Sequence, residues 1–355
     1  MKTPERQPNI ESNPQTLETE IALTKQELEK FGKLPKKERE KQKDEQLVKL
    51  KELQEKLDKT IQEAIRTGNL EEAKRLKDNL KTEIEELESK FYIEGISPIE
   101  AKELLKQDFL GKKEIEKAFD IKIEDEDIPE IPFSREDIER AKELDQFLIL
   151  RTDKIDKKTP MTMENINKHL ERKTKDGGKI LDSDWFKSES FFTKETPELS
   201  WALVSKEVIR ESTFKNHLQQ TESIVKYLKE KVFVGKDIPE AYQQAIAEFE
   251  KQKDEIRELM SSDSGWKQGA EKLKKLQINQ LTGQTPVEAI YDLTAYVNVN
   301  NQRLLENKLT RTKRYFSSDG QLVVVGHFAA HGAYLFGFNL GDHDGSFGVS
   351  FSRSL

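Results

Sequence analysis

From Tyr315 to Leu355 the chain contains no Lys, Glu, Trp or Met, although Lys and Glu dominate everything before it. Seven of the 17 glycines lie in this tail (Gly320, Gly326, Gly332, Gly337, Gly341, Gly345 and Gly348), with six phenylalanines and three of the five histidines. Glycine at this density weakens any helix by about 1 kcal/mol per interior position, so the tail has to fold as short strands joined by turns. Ser317-Ser318-Asp319-Gly320 reads as a turn, Leu322–Phe328 as a strand and His331-Gly332 as a second turn. Tyr334–Leu340 reads as the next strand, Gly341-Asp342-His343-Asp344-Gly345 as a loop, and Phe347–Ser352 as a final strand. Alternation at period two predicts that Val323, Val325, Val349 and Phe351 bury one face. So short a meander needs a second layer, which must come from upstream.

Upstream the chain is charged and poor in apolar residues. Charged residues make up 36% of the whole sequence and hydrophobic ones 34%, low for one compact globule. The 67 acids and 60 bases nearly cancel, which argues against a dedicated nucleic-acid binder. With no cysteine there is no disulfide, thiolate metal site or thiol nucleophile. MKTPERQPNIESNPQ lacks the apolar core of a secretory signal, and no apolar run approaches the ~20 residues of a membrane span. The expected location is cytoplasmic.

Residues 1–13 read as a disordered lead, and residues 14–91 as a helical hairpin or coiled coil. A narrow apolar stripe runs through Leu17, Ile21, Leu28 and Phe31, breaks at Gly32 and Pro35, and resumes at Leu47, Leu50, Leu57 and Ile61. Thr67-Gly68-Asn69 reverses the chain, and Leu70, Ala73, Leu76, Leu80, Ile84 and Leu87 form the returning face. The run around this turn resembles the short docking hairpin of excision-repair subunits, against the plain reading as an antiparallel coiled coil.

Residues 92–133 read as short helices followed by an acidic, Pro-punctuated surface linker over Ile121–Pro132. From residue 134 to 355 an α+β domain is expected, with the β-meander at 310–355. Ser134, Thr162 and Thr285-Pro286 read as helix starts, and Gln146–Arg151 and Trp201–Val204 as strands. Long helices are expected over about 214–232 and 239–261. Trp185, Phe186, Phe191 and Phe192 are expected as core, and Ile290, Leu293 and Val297 as the buried face of one helix. Arg311, Lys313 and Arg314 read as the exposed, basic end of a strand.

Thr285-Pro286-Val287-Glu288, Asn300–Glu306, Ser317–Gly320, Val325-Gly326-His327-Phe328 and the ending Phe347–Arg353 together resemble a group of uncharacterised bacterial proteins. That group is similar to the variable proteins of diversity-generating retroelements. The resemblance is specific over about the last 70 residues and looser from about Ser134. It implies a C-type-lectin-like, formylglycine-enzyme-type fold, in which a reverse transcriptase rewrites adenines near the end of the gene. The fold class expected is therefore α+β: an N-terminal helical hairpin or coiled coil, a mainly helical region, and a C-terminal C-type-lectin-like β-meander. Randomising the adenines of AAC or AAT codons reaches Asn, Asp, His, Tyr, Ser, Gly, Phe and Leu but never Lys, Glu, Gln, Trp or Met. Only Gln321 breaks that pattern in the tail. An ordinary Gly-rich meander that lost Lys and Glu through burial accounts for the same composition.

On this resemblance Gly326, Gly332 and Gly348 are scaffold, and the ligand-binding positions are His327, His331, Tyr334, Phe336, Phe338, Asn339, Leu340, Asp342 and His343. The function implied is non-catalytic recognition of a protein or surface ligand, with no cofactor. A second copy or a partner helix is expected along the N-terminal seam, and no membrane or nucleic acid. Two other readings stand beside it: a coiled-coil adaptor, and a divalent-metal protein or metal-dependent enzyme built on His327, His331, Asp342 and His343. Asp342-x-Asp344-Gly345 hints at a calcium loop, but the other EF-hand positions are absent.

Overall fold

The structure is a computed structural model that describes residues 17–24, 27, 49, 52–53, 55–77, 95–183, 185–262, 265–315, 320–339 and 341–354. The chain forms two compact units, Met1–Glu94 and Gly95–Leu355. The lead 1–13, the stripe residues Leu28, Phe31, Leu47, Leu50, Leu80, Ile84 and Leu87, and the turn residues Ser317–Asp319 lie outside the described residues.

In the first unit, residues 17–24 and 55–66 and Leu70–Arg75 are helical, and the chain reverses at Thr67-Gly68 with Gly68 at φ +78°. Leu17, Ile21, Leu57, Ile61, Ala73 and Leu76 are buried, as the stripe predicts for those positions, and Leu53, which the stripe did not include, is buried with them; Leu70, expected on the returning face, is instead 67% exposed. The first helical segment is tied to both later ones: Glu18 pairs with Arg75 at 2.6 Å and Glu20 with Lys56 at 2.7 Å. These ion pairs are half-exposed and add little stability each; the buried leucines hold the segments together.

The second unit is α+β, with two four-stranded sheets. The first has the order β1 (Phe109–Leu110), β2 (Gln146–Arg151), β3 (Ser200–Ser205), β8 (Ser352–Ser354). The second has the order β6 (Gly332–Phe338), β5 (Leu322–Ala329), β4 (Leu309–Tyr315), β7 (Phe347–Gly348). Each sheet is antiparallel except at one edge, where β1 runs parallel to β2 and β7 parallel to β4. The helices are α1 (Pro98–Leu105), α2 (Lys112–Phe119), α3 (Arg135–Glu143), α4 (Met163–His169), α5 (Ser190–Thr193), α6 (His217–Tyr227), α7 (Glu240–Ser261), α8 (Trp266–Lys275), α9 (Gln277–Thr282) and α10 (Pro286–Asn300).

The centre of this unit is α10. Thr285 caps it, accepting a hydrogen bond from the Glu288 N–H while the Glu288 carboxylate accepts from the Thr285 N–H; such a cap contributes about 1 kcal/mol. Every residue from Pro286 to Asn298 is buried, so the whole surface of the helix is covered and not the single face expected of Ile290, Leu293 and Val297. It packs against strands of both sheets and against α2, α4 and α5. A helix enclosed this way must have polar groups satisfied from every side. The Tyr291 hydroxyl donates to Leu150 O, the Tyr296 hydroxyl to Asp108, and Asn298 to Ala118 O. Asp292 forms a two-point pair with fully buried Arg151 of β2, at 2.6 and 3.1 Å, and also accepts from Gln284. Arg151 continues to Ser352 of β8 at 3.2 Å, so one buried network joins central helix, central strand and last strand.

Several expectations change. The final strand is not continuous over Phe347–Ser352: β7 ends at Gly348 in one sheet and β8 begins at Ser352 in the other. Between them Val349 and Phe351 enter a separate core of α6, α7, α8 and α9, with Ile224, Leu228, Phe249 and Leu273, instead of joining Val323 and Val325. The crossing is held by Ser350 N–H to Thr310 Oγ1 and by Val349 N–H to Ser212 Oγ. The acidic segment after α2 is tucked in rather than lying loose, because Ile123, Ile131 and Phe133 are buried and the Trp201 indole N–H donates to Pro129 O. Phe186, Phe191 and Phe192 are core, but Trp185 is 59% exposed and meets Phe186 only edge-on. Arg311 is fully buried, not an exposed strand end.

Candidate functional site: an aromatic surface on the second sheet

The β5–β6 hairpin has one face on the main core and one facing away from it. Val323, Val325, Ala333 and Leu335 join the core around α10, while Leu322 and Val324 join a small outer cluster with Leu309 and Phe347. Met260 of α7 and Ala270 of α8 cover part of that outer cluster. Towards the hairpin turn the outer face is left to Tyr334 and Phe336. Strand parity puts them there, since they alternate with buried Ala333 and Leu335.

Parity alone would send His327 into the core, on the side of Val323 and Val325. A bulge between Gly326 and Ala329 reverses this. Gly326 has φ +156°, and a Cβ there would fall 2.1 Å from Lys308 O, so only glycine fits. His327 follows at φ +46° and donates its N–H to Lys308 O, and Phe328 takes the core position. The imidazole of His327 is thereby lifted beside the Tyr334 ring, at 6.3 Å and perpendicular to it. His331, at the turn, meets the same ring at 4.9 Å, and Tyr334 stacks on Phe336 at 5.3 Å with the planes 3° apart. Four of the nine expected positions therefore form one continuous aromatic surface.

The hairpin is held from below. Arg303 donates to Ala329 O, pairs with Asp176 at 2.8 Å, and lies over the Phe328 ring at 4.5 Å. Lys179 N–H donates to Ala330 O, and Ala333 exchanges backbone hydrogen bonds with Ile180 and Asp182. Burial opposes ionisation of Asp176, yet hydrogen bonds from Arg303, Thr174 and the Gly178 N–H outweigh it and bring the carboxyl down to about 2.

The remaining expected positions separate. Phe338 turns towards the outer cluster and packs on buried Phe347 at 4.7 Å, so it is half scaffold. Asp342 closes its own turn, accepting from the Asn339 N–H at 2.9 Å. Asn339 and His343 are exposed. Leu340 lies outside the described residues. Asp344, expected only as a possible ion ligand, instead accepts from the Ser346 hydroxyl and N–H; these bonds, with the charges of His327 and Lys308, lower its pKa. Among the described residues no group of three His, Asp or Glu side chains comes together in a way that could hold a metal ion.

One exposed aromatic residue, beside the loop after β6, was missed. Phe214 is 72% exposed at φ +55°, and its ring lies against Gly345, where a Cβ would sit 2.4 Å from it. Its N–H donates to Asp344 O, which ties it to the loop after β6. A bulky side chain with positive φ is an outlier that its surroundings must enforce. The signal available was the capping pair Asn216–Gln219, which starts α6 at His217 and leaves Phe214 outside the helix.

Two cavities within the second unit hold about 10 Å³ each, the room of a single water, and neither opens beneath this surface. Among the described residues no helix is long and apolar enough to cross a membrane. Comparison with protein-family models, curated proteins and solved structures gives no match.

Proposed function

We propose that this protein is a non-catalytic binding protein that presents a changeable aromatic surface at its C-terminal sheet to a protein or surface ligand. The observation that carries the reading is the division of labour along β5 and β6. Buried Val323, Val325, Phe328, Ala333 and Leu335 support outward His327, His331, Tyr334 and Phe336. Rigid aromatic rings on a fixed backbone give large contact area at low entropic cost, which suits recognition. An exposed cluster of this kind on a water-facing sheet is otherwise a liability. The resemblance to retroelement variable proteins, with a C-type-lectin-like fold and a cytoplasmic location, belongs to this reading. So does the absence from the tail, Gln321 excepted, of the residue types that adenine randomisation cannot reach.

The test is to sequence the 3′ end of the gene in many cells of one population. The reading expects adenine-directed variation at the codons of His327, His331, Tyr334 and Phe336, a near-copy of the segment nearby, and invariant codons for Val323, Val325 and Leu335. An invariant 3′ end with no such copy overturns the changeable-surface reading and leaves the adaptor reading ahead.

A further inference from the structure

Four arginines buried or half-buried in the second unit each face a carboxylate: Arg151 faces Asp292, Arg303 faces Asp176, Arg314 faces Glu195, and Arg353 faces Asp137. Arg311 on β4 does not. Its guanidinium donates to His217 O at 3.0 Å, Thr221 Oγ1 at 3.1 Å and Asn279 Oδ1 at 2.8 Å, all neutral acceptors, and among the described residues no acid pairs with it. Burial in these surroundings pushes its pKa down, to about 9. A guanidinium nevertheless keeps its proton at neutral pH, so a full positive charge sits here without a counter-charge.

The surroundings are positive as well. A cavity of about 10 Å³ opens between α6, α8, α9 and β4, lined by Arg311, His217, Lys274, Lys313 and Asn279. Neither lysine is free: Lys274 has Glu271 at 3.9 Å and lies over the Tyr315 ring, and Lys313 has Glu288 at 3.7 Å. Among the described residues no acid lines the cavity itself. His217 is only 3% exposed and its Nδ1 has no hydrogen-bond partner. Burial and then the Arg311 charge hold this imidazole neutral, so an Nδ1–H tautomer has a donor to spare.

We propose that this cavity is a binding site for one halide-sized anion, coordinated by Arg311 and His217, that supplies the missing counter-charge and fastens the helices α6 and α9 to β4. The size of the cavity selects the ligand class: a space of one water admits chloride or bromide and excludes sulfate, phosphate and carboxylates. Its place matters because β4 is the strand next to β5, at the root of the aromatic hairpin.

The experiment uses the full chain. Thermal unfolding is followed against sodium chloride or sodium bromide at constant ionic strength, balanced with sodium gluconate, and bromide-soaked crystals are measured at the bromine absorption edge. The expected result is a folding constant that rises as 1 + [halide]/Kd and saturates, with one anomalous peak between Arg311 and His217. Arg311→Met is expected to lose the halide dependence. If that variant does not fold, the anomalous map and the halide-against-gluconate comparison on the unaltered chain decide alone. A melting temperature that is the same in halide and in gluconate, or a cavity without a bromide peak, overturns the proposal.

Discussion

Two neighbours on β6 should respond to truncation in opposite ways. Leu335 is 1% exposed and belongs to the main core with Val323, Val325 and Ala333. Leu335→Ala removes that packing and leaves a cavity, which costs about 3–4 kcal/mol. Phe336 is 38% exposed and its main described partner is the stacked ring of Tyr334. Phe336→Thr keeps a residue that favours strands and forfeits the stack, worth about 0.5–1.5 kcal/mol. The difference of at least about 1.5 kcal/mol is roughly tenfold in the folding constant.

Urea unfolding followed by tryptophan fluorescence reads this cleanly. All three tryptophans, Trp185, Trp201 and Trp266, lie in the second unit, so the signal reports that unit and not the helical first one. Both variants should keep the parent's denaturant slope, with only the midpoint moving. If Phe336→Thr shifts the midpoint as far as Leu335→Ala, the outer face is core, and the separation of display from scaffold fails with it.

Other outcomes follow from the buried groups. Arg151→Met leaves Asp292 buried without its cation and Glu288 with Lys313 alone, and should cost about 3–5 kcal/mol in the same assay, part of which Arg151→Met with Asp292→Leu recovers. Gly326→Ala forces a side chain into positive φ against Lys308 O and should cost at least about 1–3 kcal/mol, with the His327 imidazole displaced in NMR spectra. The carboxyl of Asp176 is held below its unfolded value, so its stabilisation is present above about pH 4 and is lost as pH falls towards 2. The stability gap between the parent and Asp176→Asn should therefore be constant at neutral pH and close over that acid range.

What was legible in the sequence was local. Ser134, Thr162 and Thr285 cap helices as read, because a cap is written in three or four consecutive residues. The two strands of the hairpin fall within two residues of their expected bounds, since alternation and glycine turns are also local signals. The aromatic surface was half legible. Tyr334 and Phe336 follow from parity, but the outward turn of His327 depends on a bulge whose cause is the approach of Lys308 O, a contact between segments. Non-local events were invisible. Nothing in Phe347–Ser352 marks a strand that changes sheets, because each half is specified by its partner: β4 for Phe347–Gly348 and β3 for Ser352–Ser354. Arg311 looked like a surface residue because its neighbours Lys313 and Arg314 are charged too, while burial was decided by α6 and α9 closing over it.

That change of sheets bears on how a surface here tolerates substitution. The segment that carries the aromatic positions begins after β4, which is joined to the body through Arg311, and ends at β8, where Ser352 meets Arg151. Arg353 then lies over the Phe133 and Phe233 rings and pairs with Asp137. Both ends of the segment are thus fixed by buried polar contacts to elements far away in sequence, and neither anchor involves His327, His331, Tyr334 or Phe336. Substitutions at well-separated positions that share no partners add independently. A change at these four outward rings therefore alters their stack, while the anchors that close the fold stay as they were.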